Sequence, residues 1–140
     1  CYDIEFPEIA RAATDNDAKI LVVPSWTDDV QGYSRVRHCA QARCIENHIY
    51  VINSALVGSL KREPALGNLC GRSAVYSPPD KGFPEGGVLN QGEKDEEHIV
   101  IAELDMEAIA GVRKNGATQP LKDKVLLEAK LENVEFQKVR

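Results

Sequence analysis

Lys19-Ile20-Leu21-Val22-Val23-Pro24-Ser25 and Ile49-Tyr50-Val51-Ile52-Asn53-Ser54-Ala55-Leu56 flank one long helical pattern, and that order decides the fold class. Each run is short and rich in β-branched residues, the pattern of a strand covered on both faces. Pro24 closes the first run, because proline cannot donate to a ladder. Between them, Gly32–His48 sets Tyr33, Val36, Ala40, Cys44 and Asn47 at helical spacing. This stripe is built largely of small residues, which lets a second helix approach closely. Strand, helix, strand, with a connection too long for a hairpin, implies an α/β layered fold.

Before the first strand, Phe6–Asp17 reads as a short helix. Pro7 suits a first helical position, Glu8 complements the positive helix end, and Ile9, Ala10 and Ala13 share a face. After the second strand, Val57–Gly71 is polar and punctuated by glycine, hence a loop. Ser73–Ser77 and Val88–Gln91 read as brief strands, with a turn at Pro78-Pro79-Asp80-Lys81-Gly82 between them. His98–Asp105 alternates as a further strand. Asp105 then caps a helix over Met106–Lys114, ended by Asn115-Gly116. The tail 121–140 fits a helix through Leu127, Leu131 and Val134, and a strand through Val134 and Phe136.

At 140 residues the chain suits one compact domain or part of a larger one, and 43% hydrophobic with 28% charged residues is an ordinary globular balance. No apolar run approaches the roughly 20 residues that cross a bilayer, so no membrane partner is expected. Net charge is −5 with scattered basic residues. This argues against a nucleic-acid surface, where clustered cations must offset phosphates. The acidic run Glu93–Glu97 reads as a solvated turn. Cys39, Cys44 and Cys70 read as buried thiols in a reducing, cytoplasmic compartment, and the cysteine spacings match no zinc pattern. His38, His48 and His98 share no spacing that would build a catalytic or metal site. No metal or cofactor is expected. The first residue is Cys1 and the only methionine is Met106. The sequence therefore reads as a fragment, a processed chain or a portion of something longer.

Cys1-Tyr2-Asp3-Ile4-Glu5-Phe6-Pro7-Glu8 carries the chemistry. A thiol sits just ahead of a helix start, on a turn that exposes the sulfur and leaves the next backbone N–H free. The helix end favours a thiolate, and the free N–H can hold a developing oxyanion. Arg43 and Glu46, at i and i+3, read as an ion pair fixing the long helix. Asp3 reads as a residue that holds the turn through backbone hydrogen bonds.

CYDIEFPE resembles the nucleophile segment of the nitrilase superfamily, the carbon–nitrogen hydrolases. The likeness continues through Val23-Pro24-Ser25-Trp26, then Arg35, Arg37, Ala42-Arg43 and Glu46-Asn47. It goes on through Gly71, Ser73, Pro78 and Glu103-x-Asp105, to a helix containing Arg113. The resemblance implies a four-layer αββα sandwich, of which this chain supplies only the C-terminal half. It places the hydrolase half over 1–120; the tail 121–140 has no counterpart in the resemblance and is expected in subunit contacts. It implies hydrolysis of a small-molecule amide or nitrile through a thioester. Cys1 would be the nucleophile, the Tyr2 backbone N–H an oxyanion donor, and Trp26, Ser25 and Thr27 the substrate-pocket residues. The family's general base glutamate and its lysine would lie upstream, outside this chain, so the 140 residues alone are expected to be inactive. Glu5 stands where the family commonly has arginine. A homodimer or larger assembly is expected, through the helices after the nucleophile. Two rival readings stay open: an N-terminal-nucleophile hydrolase using the Cys1 amine as base, and a non-catalytic module for binding or assembly.

Overall fold

The computed structural model describes residues 1–59, 62, 67–131 and 134. A 3-10 turn over Tyr2–Glu5 leads into α1 (Pro7–Asp15), β1 (Ile20–Trp26), α2 (Val30–Asn47) and β2 (Tyr50–Leu56). There follow β3 (Gly58–Ser59), β4 (Asn68–Leu69), β5 (Ala74–Tyr76), β6 (Val88–Gln91), α3 (Met106–Asn115) and α4 (Pro120–Leu131). The fold is α/β, as the strand–helix–strand order implied.

β1 and β2 pair in parallel, from Ile20 opposite Tyr50 to Trp26 opposite Leu56, and α2 makes the crossover between them. β5 and β6 extend the sheet antiparallel, giving the order β1-β2-β5-β6 with β1 at a free edge. α2 starts where Asp29 accepts a hydrogen bond from the Gly32 N–H. It ends at His48, which adopts the left-handed conformation (φ 45°). A Cβ on Gly32 would lie 3.0 Å from Asp29 Oδ1, so the cap needs glycine there.

One sheet face is covered by helices. Val23, Val51, Ala74 and Tyr76 form a core with Val36, Ala40 and Cys44 of α2 and Ile4 of the turn. Val36, Ala40 and Cys44 of the small-residue stripe therefore pack on the chain's own sheet, while α1 and α4 also touch α2. Small side chains let a helix sit close to a sheet as readily as to a helix. α3 closes the other end. Arg113 Nε donates to His48 O at 3.0 Å and Nη2 to Ala18 O at 2.6 Å, tying together the starts of β1 and β2. Asp105 caps α3 through hydrogen bonds from the Glu107 and Ala108 N–H groups, both at 2.9 Å.

Four expectations need correction. β1 is not buried on both faces: Val22 is 68% exposed, with Ile20, Pro24 and Trp26 on the same open face. Nor does Pro24 close the strand, which runs to Trp26. Among the described residues β1 is an edge strand, where proline's missing N–H costs no ladder bond. The polar stretch 57–71 contains the antiparallel ribbon of β3 and β4. His98–Asp105 forms no strand; Asn90 Nδ2 reaches Ile101 O at 2.7 Å, and no backbone ladder forms along the segment. The ambiguous tail is helical through Leu131, and 132, 133 and 135–140 lie outside the described residues.

Candidate active site

Cys1 sits against the free edge of β1, beyond the C-terminal half of the strand. Its nitrogen donates to Pro24 O at 3.0 Å and its thiol to Trp26 O at 3.3 Å. An edge strand leaves alternate carbonyls unpaired, and two successive ones of this kind hold Cys1. The 3-10 turn that follows is closed by Ile4 N–H donating to Cys1 O at 3.3 Å and Phe6 N–H to Asp3 O at 3.2 Å. The first amides of a helical turn have no partner within it. Among the described residues the Tyr2 N–H makes no hydrogen bond, so it is available beside the sulfur. The Tyr2 ring lies outside, edge-on to Phe6 at 5.0 Å.

An open cleft of about 400 Å³ borders the thiol, lined by Cys1, Pro24, Ser25, Trp26 and Ser54–Leu56. It lies at the carboxyl ends of two parallel strands, where open α/β sheets place ligands. Trp26 presents its indole there and is 53% exposed. Ser25 is buried at the floor and donates to Ser54 O at 3.4 Å. Thr27 is also buried. Its hydroxyl donates to Cys70 O while Cys70 N–H donates back to Thr27 O at 2.9 Å, so it pins the next loop beneath the cleft rather than facing it.

α2 anchors the turn from the other side. Arg43, only 5% exposed, donates from Nε to Ile4 O at 3.0 Å and from Nη2 to Glu5 O at 3.2 Å. Its third edge meets Glu46 at 2.7 Å, the ion pair that the spacing indicated. The carbonyl bonds were missed. Pro7 held the signal, since a proline three residues after Ile4 withholds the local donor. Arg35 makes a more exposed link to Glu5 at 3.3 Å. The Asp3 carboxylate forms no hydrogen bond among the described residues. It is the Asp3 carbonyl that closes the turn, the backbone hydrogen bond expected of this residue.

Only Cys44 is a fully buried thiol; Cys39 and Cys70 are partly buried, which corrects the expectation of three buried thiols, though desolvation pushes all three pKa values up and all four cysteines are free. Among the described residues no three His, Cys, Asp or Glu side chains converge as metal ligands. None of their helices is long and apolar enough to cross a membrane.

Residues 1–114 match the family model for carbon-nitrogen hydrolases. The chain belongs to the carbon–nitrogen hydrolase family. A probable hydrolase of Bacillus subtilis, YhcX, is 42% identical over 124 residues, covering 89% of this chain and 24% of that protein. Omega-amidase NIT3 of Saccharomyces cerevisiae is 30% identical over 114 residues, covering 81% of this chain and 36% of the other. The crystal structure of S. cerevisiae Nit3, a member of the nitrilase superfamily, superposes with a TM-score of 0.67 at 28% identity. That match covers 82% of this chain and 39% of Nit3. The chain thus spans well under half the length of these relatives, and its fold is part of a nitrilase fold.

Proposed function

We propose that this chain carries the nucleophile of an enzyme that hydrolyses the carbon–nitrogen bond of a small-molecule amide. The single observation that carries the reading is the placement of Cys1. Its thiol stands at the mouth of a cleft at the strand ends, next to an unpaired backbone N–H. The similarity to an omega-amidase supports an amide over a nitrile as substrate.

In the proposed reaction a base takes the Cys1 proton and the sulfur attacks the amide carbon. The carbonyl oxygen becomes an oxyanion that accepts from the Tyr2 N–H. The carbon–nitrogen bond breaks, ammonia or an amine departs with a proton, and a thioester remains on Cys1. Water then adds to the thioester, releases the carboxylic acid and returns the thiol. Trp26 walls the cleft and Ser25 floors it, while Thr27 bonds to Cys70 of the following loop. Among the described residues no Glu or Lys hydrogen-bonds to Cys1. The base glutamate and the lysine that the family resemblance implies are accordingly assigned to residues outside this sequence. The Cys1 nitrogen serves as a donor to Pro24 O, which supports this reading over one that makes that nitrogen the base.

The test is Cys1→Ala in the intact protein, assayed on a panel of aliphatic amides and nitriles. Hydrolysis should vanish, and mass spectrometry should find iodoacetamide on the Cys1 peptide of the active protein. Retained hydrolysis in the variant would overturn the proposal.

A further inference from the structure

The turn that presents Cys1 has a defect that the local chain cannot repair. In a 3-10 turn each carbonyl accepts from the N–H three residues on, as Cys1 O and Asp3 O do here. Three residues beyond Ile4 stands Pro7, which has no N–H. Ile4 is buried, so water cannot supply the missing donor. The Glu5 carbonyl, at the end of the turn, is likewise left without a partner from the turn itself.

Both carbonyls are taken by one side chain from a different element. Arg43 donates Nε–H to Ile4 O at 3.0 Å and Nη2–H to Glu5 O at 3.2 Å. Its remaining edge is held by Glu46 at 2.7 Å, so the planar fork is fixed on three sides. Ile4 is then gripped twice, its carbonyl by Arg43 and its N–H by the carbonyl of Cys1. Only two hydrogen bonds and one residue separate the guanidinium from the backbone of Cys1. The opposite side of Cys1 rests on the fixed edge of β1.

We propose that Arg43 is a positioning residue for the Cys1 thiol: its two bonds to the Ile4 and Glu5 carbonyls set where the sulfur stands over the cleft. This rests on the reading of Cys1 as nucleophile. A lysine at this position reaches one carbonyl at a time and cannot reproduce the fork. A methionine of similar length reaches neither.

The experiment compares Arg43→Lys, Arg43→Met and Cys1→Ala in the intact protein. Readouts are kcat and KM on the best amide, the rate of iodoacetamide labelling of Cys1, and thermal unfolding followed by circular dichroism. Misplacing a reacting atom by about 1 Å costs on the order of 100-fold, so folded R43M should lose about that much in kcat. KM should change by less than about threefold, labelling of Cys1 should slow, and R43K should recover about tenfold of the loss. If R43M does not fold, R43K alone decides. A folded Arg43 variant with wild-type kcat and labelling rate, or a loss confined to KM, overturns the inference. If Cys1→Ala keeps full activity, the nucleophile assignment itself has failed. If Cys1→Ala is inactive while the Arg43 variants keep their kcat, only the positioning role has failed.

Discussion

The Cys1 thiol donates to the carbonyl of Trp26 at 3.3 Å, across the free edge of β1. One bond thereby couples the proposed nucleophile to the residue whose ring walls the cleft. The bond uses the backbone of Trp26, so the indole can be removed without touching it. Trp26→Ala should raise KM about tenfold, the loss of some 1.4 kcal/mol of apolar contact. It should leave kcat within about threefold of wild type. Steady-state kinetics in the intact protein test this, and a collapse of kcat with unchanged KM would contradict it.

Two adjacent glycines make a stability test with its own control. Gly87 has φ +63° and a Cβ there would lie 2.6 Å from Ser77 O, whereas nothing lies within 4 Å of a Cβ on Gly86. Gly87→Ala should lower stability by about 1–3 kcal/mol, and Gly86→Ala should leave it nearly unchanged. Denaturant unfolding of the two variants side by side gives the answer.

His48 gives the fold a pH dependence. Burial lowers its pKa from 6.5, with nearby Arg113 pushing the same way and Asp80 opposing. The folded state therefore holds a neutral imidazole where the unfolded chain takes up a proton. As pH falls through 6.5 the unfolded state binds more protons, so this contribution to stability is lost toward acid and kept above neutrality. The melting temperature should drop between pH 7.5 and 5.5. His48→Asn, which tolerates the same left-handed backbone, should shrink that drop. An equal drop in both proteins would show that another group is responsible.

The open sheet face carries a prediction for the isolated 140 residues. Val22, Trp26 and Leu56 stand exposed on adjoining strands, an apolar area of the kind that drives association. Expressed alone, the chain should aggregate or bind a hydrophobic dye strongly, and should not turn over amides. Measurable amidase activity from it would show that the base lies within these residues.

Several of these features were legible in the letters. The runs around Val22 and Ile52 marked the two parallel strands and their helical crossover, because β-branched continuity reports the strand itself. The same continuity cannot report what covers a strand, so the open face of β1 was read as buried. His98–Asp105 alternates convincingly, yet a strand needs a neighbouring backbone in register, and no pattern of side chains supplies one. Cys1 was legible through its motif. Arg43 was legible only as a partner for Glu46, since backbone carbonyls carry no letter; the proline at position 7 was the trace they left.

Among the described residues Cys1 is moored on β1 and on the turn that Arg43 steadies, while the bare side of the sheet awaits whatever lies opposite. Mooring and facing wall are separable. Substrate preference can drift through changes in the opposing wall while the reactive group stays where it is.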